Sequence, residues 1–398
     1  MSLFCPGAAR VSLCRMFVAL FFVMTVVVTG AASANSAPSA VILMYHRFGD
    51  SRYPSTNIRM DQLKAQVDYL LESGFTILPL KTVVESVRQG ISLPDKSVAI
   101  TVDDAFASVY DHGYPFFKRL GLPFTVFVCT DPVDAGRKDY MSWDQMREMK
   151  AHGVTFANHG ARHDHLIERL KGEDEAVWLA RIKETVLRGG ERLKAELGET
   201  LPYLAYPYGE HNTQVAKLVA KLGYVAFGQQ SGAFGVYSDL KRVPRFPISE
   251  VYGKLPAFKT KVKSLPMPVV SITPWDPVTT SRQPVLVIEL SPNENLLLDE
   301  MACYVAGQGQ VEIEWLEQGK RFQVKAPKEL PLGRTKYNFT VPTHGRQRYI
   351  WFSRQWVIEE PGSKKPSVAV RDRSKTVESG EGAPTVKKMK SKKSNAPR

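Results

Sequence analysis

The chain has 398 residues, of which 43% are hydrophobic and 23% charged, a length that predicts more than one domain and a composition typical of globular proteins. Its formal net charge of +13 would point to a nucleic-acid or membrane partner if it were spread over the folded part. However, residues 361–398 carry a net charge of +8 and the first 34 residues carry +2, which leaves about +3 for the rest. The charge distribution therefore gives no reason to expect a nucleic-acid partner.

The N-terminus has the three parts of a secretory signal peptide. Arg10 and Arg15 precede an apolar run from Met16 to Val28, and small residues follow that end in Ala32-Ser33-Ala34. The apolar run has 13 residues, whereas a membrane-spanning helix needs about 20. We predict a signal peptide over 1–34 and a secreted or periplasmic protein, with an uncleaved membrane anchor as the alternative.

From Ser39 onwards, strand patterns alternate with helical patterns. The strand patterns include SAVILMYH, SVAITV, FTVFV, GVTFANH, YLAYPYG and YVAFG. The helical patterns include a charged region from Glu173 to Leu197 that we expect to be interrupted at Gly189-Gly190. About seven strand-helix units predict a parallel sheet, and their total length favours a closed arrangement. The predicted fold is α/β, a distorted (β/α)7-type barrel in a domain over 35–265.

After about Pro266 the helical period disappears, and short strand patterns are separated by Gly, Pro and Asn. We predict a small all-β, sandwich-like domain over 267–358. Trp315, Trp351 and Trp356 within it are interpreted as core aromatics, with a sugar-stacking platform as the alternative. The segment 361–398 is rich in Lys, Ser, Pro and Gly, which predicts a disordered basic tail, solvated by default, with contact to an anionic cell envelope as the alternative.

The four cysteines do not indicate a disulfide framework. Cys5 and Cys14 belong to the predicted signal peptide, and Cys129 and Cys303 lie in different predicted domains. A single bridge between the last two stays open at this point.

Two adjacent carboxylates end the most hydrophobic strand pattern of the chain. The run from Val98 to Val102 is typical of a strand buried on both faces, and Asp103 and Asp104 follow directly. Neighbouring strand residues point to opposite faces, so both carboxylates serve one site only where the strand unravels. The C-terminal end of a parallel strand is where α/β proteins hold their active sites.

A histidine pair follows a later strand of the same alternating region. His159 and His163 are four residues apart, a spacing that lets two imidazoles reach one ion from a tight loop or a helical turn. Two histidines and one carboxylate form a common set of ligands for catalytic Zn²⁺ and other divalent ions. A third motif, Tyr206-Pro207-Tyr208-Gly209, stands at the end of the next strand pattern.

These three motifs resemble those of the polysaccharide deacetylase family, also described as the NodB-homology domain or carbohydrate esterase family 4. The matching residues are Thr101-Val102-Asp103-Asp104, His159 with His163, and Tyr206-Pro207-Tyr208-Gly209, in the family's order. Leu43-Met44-Tyr45-His46 and Arg242-Val243-Pro244-Arg245-Phe246-Pro247 also resemble segments of family members. The resemblance covers roughly residues 39–250.

The resemblance implies a role for each motif. Asp104, His159 and His163 would hold a divalent metal, Zn²⁺ first and Co²⁺ or Mn²⁺ as alternatives. Asp103 would be the general base that deprotonates the attacking water, and the backbone N–H of Tyr208 would stabilise the oxyanion. The implied activity is metal-dependent removal of acetyl groups from the N-acetylated sugars of a glycan.

The sequence departs from the family pattern at several positions. Phe before the two aspartates is replaced by Val102, and Gly after them by Ala105. The arginine that precedes the third motif in the family is replaced by Ala205, and we expect Arg245 to take over its role of orienting the base.

The late Leu-x-His motif that supplies the family's general acid has no match in this chain. His46, at the end of the first predicted strand, is the predicted acid or substrate contact. His165 is the second possibility, and a structural role for His46 in capping its strand is the alternative.

Two other functions are compatible with these residues. A glycan-binding protein with weak catalysis would keep the metal ligands without a complete acid-base set. A metal-dependent hydrolase of a different amide would share every site residue. The uncoordinated Asp103 favours an enzyme, because a binding protein has no use for a free base.

Overall fold

The computed structural model describes residues 37–361. The predicted signal peptide and basic tail lie outside these residues. All the described residues belong to one compact unit. Among the described residues, no helix combines the length and apolar character that crossing a membrane requires.

The first part of the described chain, residues 37–262, is the barrel domain. Its strands are β1 (Ser39–Tyr45), β2 (Arg47–Phe48), β3 (Asn57–Ile58), β4 (Thr76–Ile77), β5 (Ser97–Asp103), β6 (Thr125–Val128), β7 (Thr155–Asn158), β8 (Tyr203–Ala205), β9 (Val225–Phe227), β10 (Phe234–Gly235) and β11 (Phe246–Pro247). Its α-helices are α1 (Met60–Glu72), α2 (Leu80–Gln89), α3 (Tyr114–Arg119), α4 (Thr130–Asp134), α5 (Trp143–Ala151), α6 (Glu175–Leu197), α7 (Thr213–Lys221) and α8 (Leu255–Val262). A π-helical turn covers Val109–Gly113 and a 3₁₀ turn covers Pro207–Gly209.

Parallel strands make up the wall of the barrel, in the order β1-β5-β6-β7-β8-β9. A seam segment, residues 243–247, joins the two outer strands of this series: Val243 pairs with Phe227 of β9, and Phe246 pairs with Leu43 of β1. The seam segment thus takes the seventh position in the wall, and the α/β barrel-like arrangement agrees with the prediction. Buried apolar side chains of β5, such as Val98, Ile100 and Val102, belong to the main core.

Two helices of the barrel domain, α5 and α7, begin at side-chain caps. Ser142 and Gln145 form a capping box at the start of α5, and the Asn212 side chain accepts a hydrogen bond from Val215 N at the start of α7.

The expected interruption at Gly189-Gly190 is wrong, because α6 runs unbroken from Glu175 to Leu197. A Cβ on Gly189 would lie 2.7 Å from the Asn158 side-chain oxygen and 2.9 Å from the Gly160 carbonyl carbon. The glycine therefore allows close packing of the helix instead of ending it.

The second part of the described chain, residues 264–358, is the β segment. Its strands are β12 (Ser264–Leu265), β13 (Val269–Thr273), β14 (Val278–Thr279), β15 (Val285–Leu290), β16 (Ala302–Val305), β17 (Gly309–Val311), β18 (Glu314–Glu317), β19 (Arg321–Lys325), β20 (Gly333–Pro342) and β21 (Tyr349–Ile358), with a 3₁₀ turn at Leu298–Glu300. One sheet has the order β12-β21-β20-β16-β17 and the other β13-β15-β19-β18. Inward-facing residues of both sheets, including Ile288 and Phe339, share one core.

The tryptophans of the β segment lie mostly inside. Trp356 is fully buried, Trp351 is nearly so, and Trp315 packs against Phe322. Trp351 does not belong to the core of the β segment: its ring contacts Phe246 of the barrel at 5.5 Å and is part of the barrel core. The two parts of the chain therefore pack against each other directly.

Candidate metal and catalytic site

The C-terminal ends of the parallel strands bring the predicted motifs together. Asp103 is the last residue of β5, His159 follows β7, and the Pro207–Gly209 turn follows β8. Because these strands run parallel, their ends form one rim of the barrel. His46 directly follows β1 on the same rim, and it is close enough to Asp103 and Asp104 for their charges to affect its pKa.

Asp104 lies between the two histidines. Its Oδ1 atom is 3.2 Å from His159 Nε2 and 3.1 Å from His163 Nε2. Asp104 Oδ1 and His159 Nε2 are buried and have no hydrogen-bond partner among the residues that the structure describes. Donor atoms bound to one ion by bonds of about 2.0–2.2 Å lie at comparable separations. These three side chains fit a small divalent metal.

The fixed orientation of His159 supports the same interpretation. The carbonyl oxygen of Ala205 accepts a hydrogen bond from His159 Nδ1 at 2.8 Å. This bond places the lone pair on Nε2, the atom that faces Asp104. The side chain of His159 is fully buried, whereas 25% of the His163 side chain is exposed, so the cluster is open on the His163 side.

A cysteine completes the group of donor atoms. Cys129 follows β6, and its Sγ lies with ligand atoms of Asp104, His159 and His163 within 4.8 Å of one another. The thiol donates a hydrogen bond to the His159 carbonyl oxygen at 3.3 Å, and burial raises its pKa well above the usual range. Cys129 and Cys303 are both free, so the bridge that the sequence left open is absent among the described residues.

Asp103 has a different partner from its neighbour. Arg245 of the seam segment donates two hydrogen bonds to its carboxylate, Nη1 to Oδ1 and Nη2 to Oδ2, both at 2.7 Å. The guanidinium also donates to the Gly228 carbonyl oxygen and to the Thr101 hydroxyl, so its position is fixed on several sides. Burial alone would raise the pKa of Asp103, but the charges of Arg245 and His159 outweigh it and hold the pKa below its usual value.

Several site residues have left-handed backbone conformations. The φ angles are +75° at Asp104, +63° at Ala105, +59° at His163 and +58° at Tyr208. Such values are uncommon for residues other than glycine, and they tend to occur at functional sites. Ala105, at the position where the family has glycine, thus adopts a left-handed conformation in the turn that follows β5.

Tyr208 lies at the edge of the histidine cluster. Its ring contacts His163 edge-on, with centroids 4.5 Å apart, and stacks on His165 at 3.8 Å. His165 Nδ1 is 2.7 Å from Glu210 Oε2. Arg334 of β20 donates a hydrogen bond to the Tyr208 carbonyl oxygen at 2.7 Å and lies 3.5 Å from Glu210.

Sequence reasoning missed four of these participants: Cys129, the Ala205 carbonyl, Glu210 and Arg334. Glu210 directly follows the third motif, so its position was a usable signal. Arg334 comes from the β segment, 126 residues after Tyr208, and no local pattern indicates it.

Part of the chain is similar to known polysaccharide deacetylases. Residues 90–227 match the family described as polysaccharide deacetylase. YxkH of Bacillus subtilis is 26% identical over 184 residues, which are 46% of this chain and 61% of the relative. A poly-β-1,6-N-acetyl-D-glucosamine N-deacetylase of Staphylococcus epidermidis is 25% identical over 248 residues, which cover 56% of this chain and 82% of the relative.

A solved structure, the Streptococcus pyogenes deacetylase PplD in complex with acetate, aligns with a TM-score of 0.49 and 22% identity over 54% of this chain and 94% of that chain. Against YxkH, the matched part spans less than two thirds of the relative's own length. The matched family region contains Asp103, Asp104, His159, His163 and the third motif. The resemblance seen in the motifs is therefore confirmed over residues 90–227, which match the polysaccharide deacetylase family.

Proposed function

We propose that the protein is a metal-dependent hydrolase that removes acetyl groups from N-acetylated sugars of a polysaccharide or oligosaccharide. The observation that carries this proposal is that two adjacent aspartates have different partners. Asp104 faces His159 and His163, while Asp103 faces only Arg245 as its ion-pair partner. One carboxylate suits a metal and the other keeps the position of a general base.

Asp104, His159 and His163 would hold the metal. These three residues supply one carboxylate and two imidazoles, a set of ligands that suits Zn²⁺, with Co²⁺ and Mn²⁺ as alternatives. A divalent ion bound there would polarise the acetyl carbonyl group and lower the pKa of a water molecule. We leave Cys129 out of the ligand set, because its thiol donates a hydrogen bond to the His159 carbonyl oxygen.

Asp103 acts as the base. Its carboxylate is ionised because Arg245 holds its pKa below the usual value, so it is ready to take a proton from the attacking water. The water oxygen forms a bond to the acetyl carbon as that proton moves to Asp103. The doubly hydrogen-bonded Arg245 keeps the carboxylate in place during this step.

Residues on the same rim would stabilise the oxyanion and protonate the leaving nitrogen. The backbone N–H of Tyr208 would stabilise the negative charge that develops on the carbonyl oxygen. His46 would give a proton to the leaving nitrogen, so that the C–N bond breaks and acetate and a free amine are formed. Burial lowers the pKa of His46, and the charges of Asp104 and Asp103 oppose that shift.

Polymers of N-acetylglucosamine are the first substrates to test. The Staphylococcus relative is named for its action on poly-β-1,6-N-acetyl-D-glucosamine, and the names of further relatives from Escherichia coli agree. The N-terminal signal pattern supports a secreted or periplasmic location, where such a polymer would be accessible.

The test is acetate release from oligomers of β-1,6-linked N-acetylglucosamine. Three samples are compared: the zinc-loaded protein, the same protein after chelation, and Asp103→Asn. We expect acetate from the first alone, while Asp103→Asn keeps its zinc content, because Asp103 is outside the ligand set. Asp131→Asn is the matched control, since Asp131 also forms a two-hydrogen-bond pair with an arginine, Arg188, but is not part of the site.

Two results would contradict the proposal. Acetate release that survives complete chelation would rule out metal dependence. No release from any acetylated glycan by a zinc-loaded protein would leave glycan binding as the better explanation.

A further inference from the structure

A second cavity lies between the barrel domain and the β segment. It has a volume of about 470 Å³, and none of the seven residues assigned to the deacetylase site lines it. Its walls come from His211 and residues 230–244 of the barrel and from residues 267–277 and 351–355 of the β segment. Tyr237 and Val270, which line it, are 48% and 58% exposed, so the cavity reaches the surface.

Two arginines give this cavity a positive wall. The Arg354 side chain is 2% exposed and donates hydrogen bonds to the carbonyl oxygens of Pro274, Trp275 and Asp276, at 3.0, 3.0 and 2.7 Å. It has no carboxylate ion-pair partner among residues 37–361. Arg242 is the second arginine, and its guanidinium is 3.5 Å from Asp239.

The nearby carboxylates are already engaged. Asp239 accepts a hydrogen bond from Trp275 Nε1 as well as facing Arg242. Asp276 accepts backbone hydrogen bonds from Thr213 and Val278. Burial, together with the charge of Arg242, holds the pKa of Arg354 well below its usual value. A buried guanidinium without an anion is costly, so the cavity favours a negatively charged ligand.

Three polar atoms in side chains that line this cavity are closed off from solvent and have no hydrogen-bond partner within the described structure. They are His211 Nε2, Gln230 Oε1 and Arg354 Nε, and each belongs to a side chain more than nine-tenths buried. Buried polar atoms in folded proteins nearly always have a partner. A ligand would reach these atoms only after the side chains rotate toward the cavity, so it is the two arginines and the apolar walls that favour a ligand here.

The rest of the wall is apolar and aromatic. Met267, Ile272, Trp275 and Trp351 line it. Pockets for small ligands usually measure about 300–1,000 Å³ and combine such walls with a few converging polar groups. A ligand that has an apolar ring face, hydroxyl groups at the edge of the ring and one negative charge matches this lining.

We propose that the cavity binds an acidic sugar unit, with its carboxylate held by Arg242 and Arg354 and its hydroxyl groups facing Gln230 and His211. This binding site is separate from the proposed deacetylation and does not depend on it. A deacetylated amino sugar carries a positive charge at neutral pH, so the two arginines would exclude the product of the proposed reaction.

The test uses glucuronic acid and glucose, which differ at C6 by a carboxylate. Binding to the full-length protein is measured by calorimetry and by tryptophan fluorescence, because Trp275 and Trp351 line the cavity. We expect saturable binding of glucuronate, at least tenfold weaker binding of glucose, and no binding of glucosamine. Arg242→Gln should weaken glucuronate binding at least tenfold, whereas the exposed Arg321→Gln of β19 should not change it.

Each alternative outcome overturns the proposal. Equal binding of glucose and glucuronate would show that charge does not select the ligand, and undiminished binding by a folded Arg242→Gln variant would place the site elsewhere. If Arg242→Gln fails to fold, Arg242→Lys keeps the charge and should retain part of the binding, and complete loss there contradicts the proposal. Acetate release is measured separately, so failure here is distinguishable from failure of the proposed deacetylation.

Discussion

At the scale of single residues, the pair of Asp103 and Arg245 links stability to chemistry. Both side chains are fully buried, and each carries a charge that the other balances. Removing one partner of such a pair leaves an uncompensated charge, which costs about 3–5 kcal/mol. Arg245 therefore contributes to folding as well as to the state of the base.

Arg245→Met should shift the pH dependence of acetate release. Without the guanidinium, burial dominates and the pKa of Asp103 rises above that in the parent protein. Because the base works only when ionised, the acidic limb of the kcat profile should move to higher pH. A full pH profile checks this, with Arg188→Met as the matched arginine outside the site. An unchanged acidic limb in a folded variant would mean that Arg245 does not set the pKa of the base.

His211 should make the protein sensitive to acid. Burial, together with the charges of Arg242 and Arg354, lowers the pKa of His211 to about 3. The unfolded chain binds a proton at this residue below about pH 6.5, whereas the folded chain does not, so stability is complete above that pH and falls as the pH drops toward 3. The slope is at most about 1.4 kcal/mol per pH unit.

Urea unfolding of the protein and of His211→Phe at pH 7.5 and pH 5 measures this effect. We expect the variant to lose less stability between the two pH values, since phenylalanine can keep the stacking on Tyr206 without titrating. The exposed His344→Gln is the control and should behave like the parent protein. An identical pH response in parent and His211→Phe would contradict the prediction.

At the scale of elements, the strands and the local motifs could be predicted from the sequence. Contacts between residues that are distant in the sequence could not. The alternation of strands and helices predicted the barrel, and the apolar run before Asp103-Asp104 predicted which strand end holds the carboxylates. The continuity of α6 was not readable, because a glycine pair predicts a helix break by its intrinsic preference. In this chain the glycine pair leaves room for Asn158 and Gly160, which pack closely against the helix. That contact exists only in the folded state.

The β segment supports the turn that contains Tyr208. Arg334 of β20 binds the Tyr208 carbonyl oxygen, and Gln355 of β21 donates a hydrogen bond to the Gly209 carbonyl oxygen at 3.3 Å. These contacts hold a left-handed backbone that presents the proposed oxyanion-binding N–H. The strand that supplies Arg334 has an ordinary alternating pattern, so nothing in the sequence marks this arginine.

Arg334→Gln should lower kcat about tenfold and leave zinc affinity unchanged, because it affects the turn and none of the metal ligands. Steady-state kinetics on N-acetylglucosamine oligomers and a zinc titration measure the two effects. Arg282→Gln, at another partly exposed arginine of the β segment paired with an acidic residue, is the control. Unchanged kcat would show that the turn keeps its conformation without this contact.

At the scale of the whole molecule, the barrel domain and the β segment depend on each other. Trp351 completes the barrel core, Gly232 of the barrel forms a β-bridge with Phe352 of β21, and the Arg348 side chain pairs with Asp95 of the barrel. The family match ends at residue 227, before the seam segment and the β segment begin. The region that matches the family model therefore lacks both the seam segment and the β segment, which complete the fold.

A chain that ends at residue 266 should not fold. It lacks Trp351 and Arg334, and it exposes Phe246 where the tryptophan normally packs. Soluble expression and circular dichroism compare it with a chain over 37–361. A soluble, cooperatively folded short chain would show that the barrel domain needs no help from the β segment.

The seam segment has a consequence for how the protein would lose activity. Its residues 243–247 join β9 to β1, and Arg245 in the middle of this segment is the residue that fixes the proposed base. A local opening of the barrel at this join would release Asp103 from its partner while most of the helices and the metal ligands stayed in place. Heating should therefore inactivate the protein at a lower temperature than the one at which its secondary structure melts.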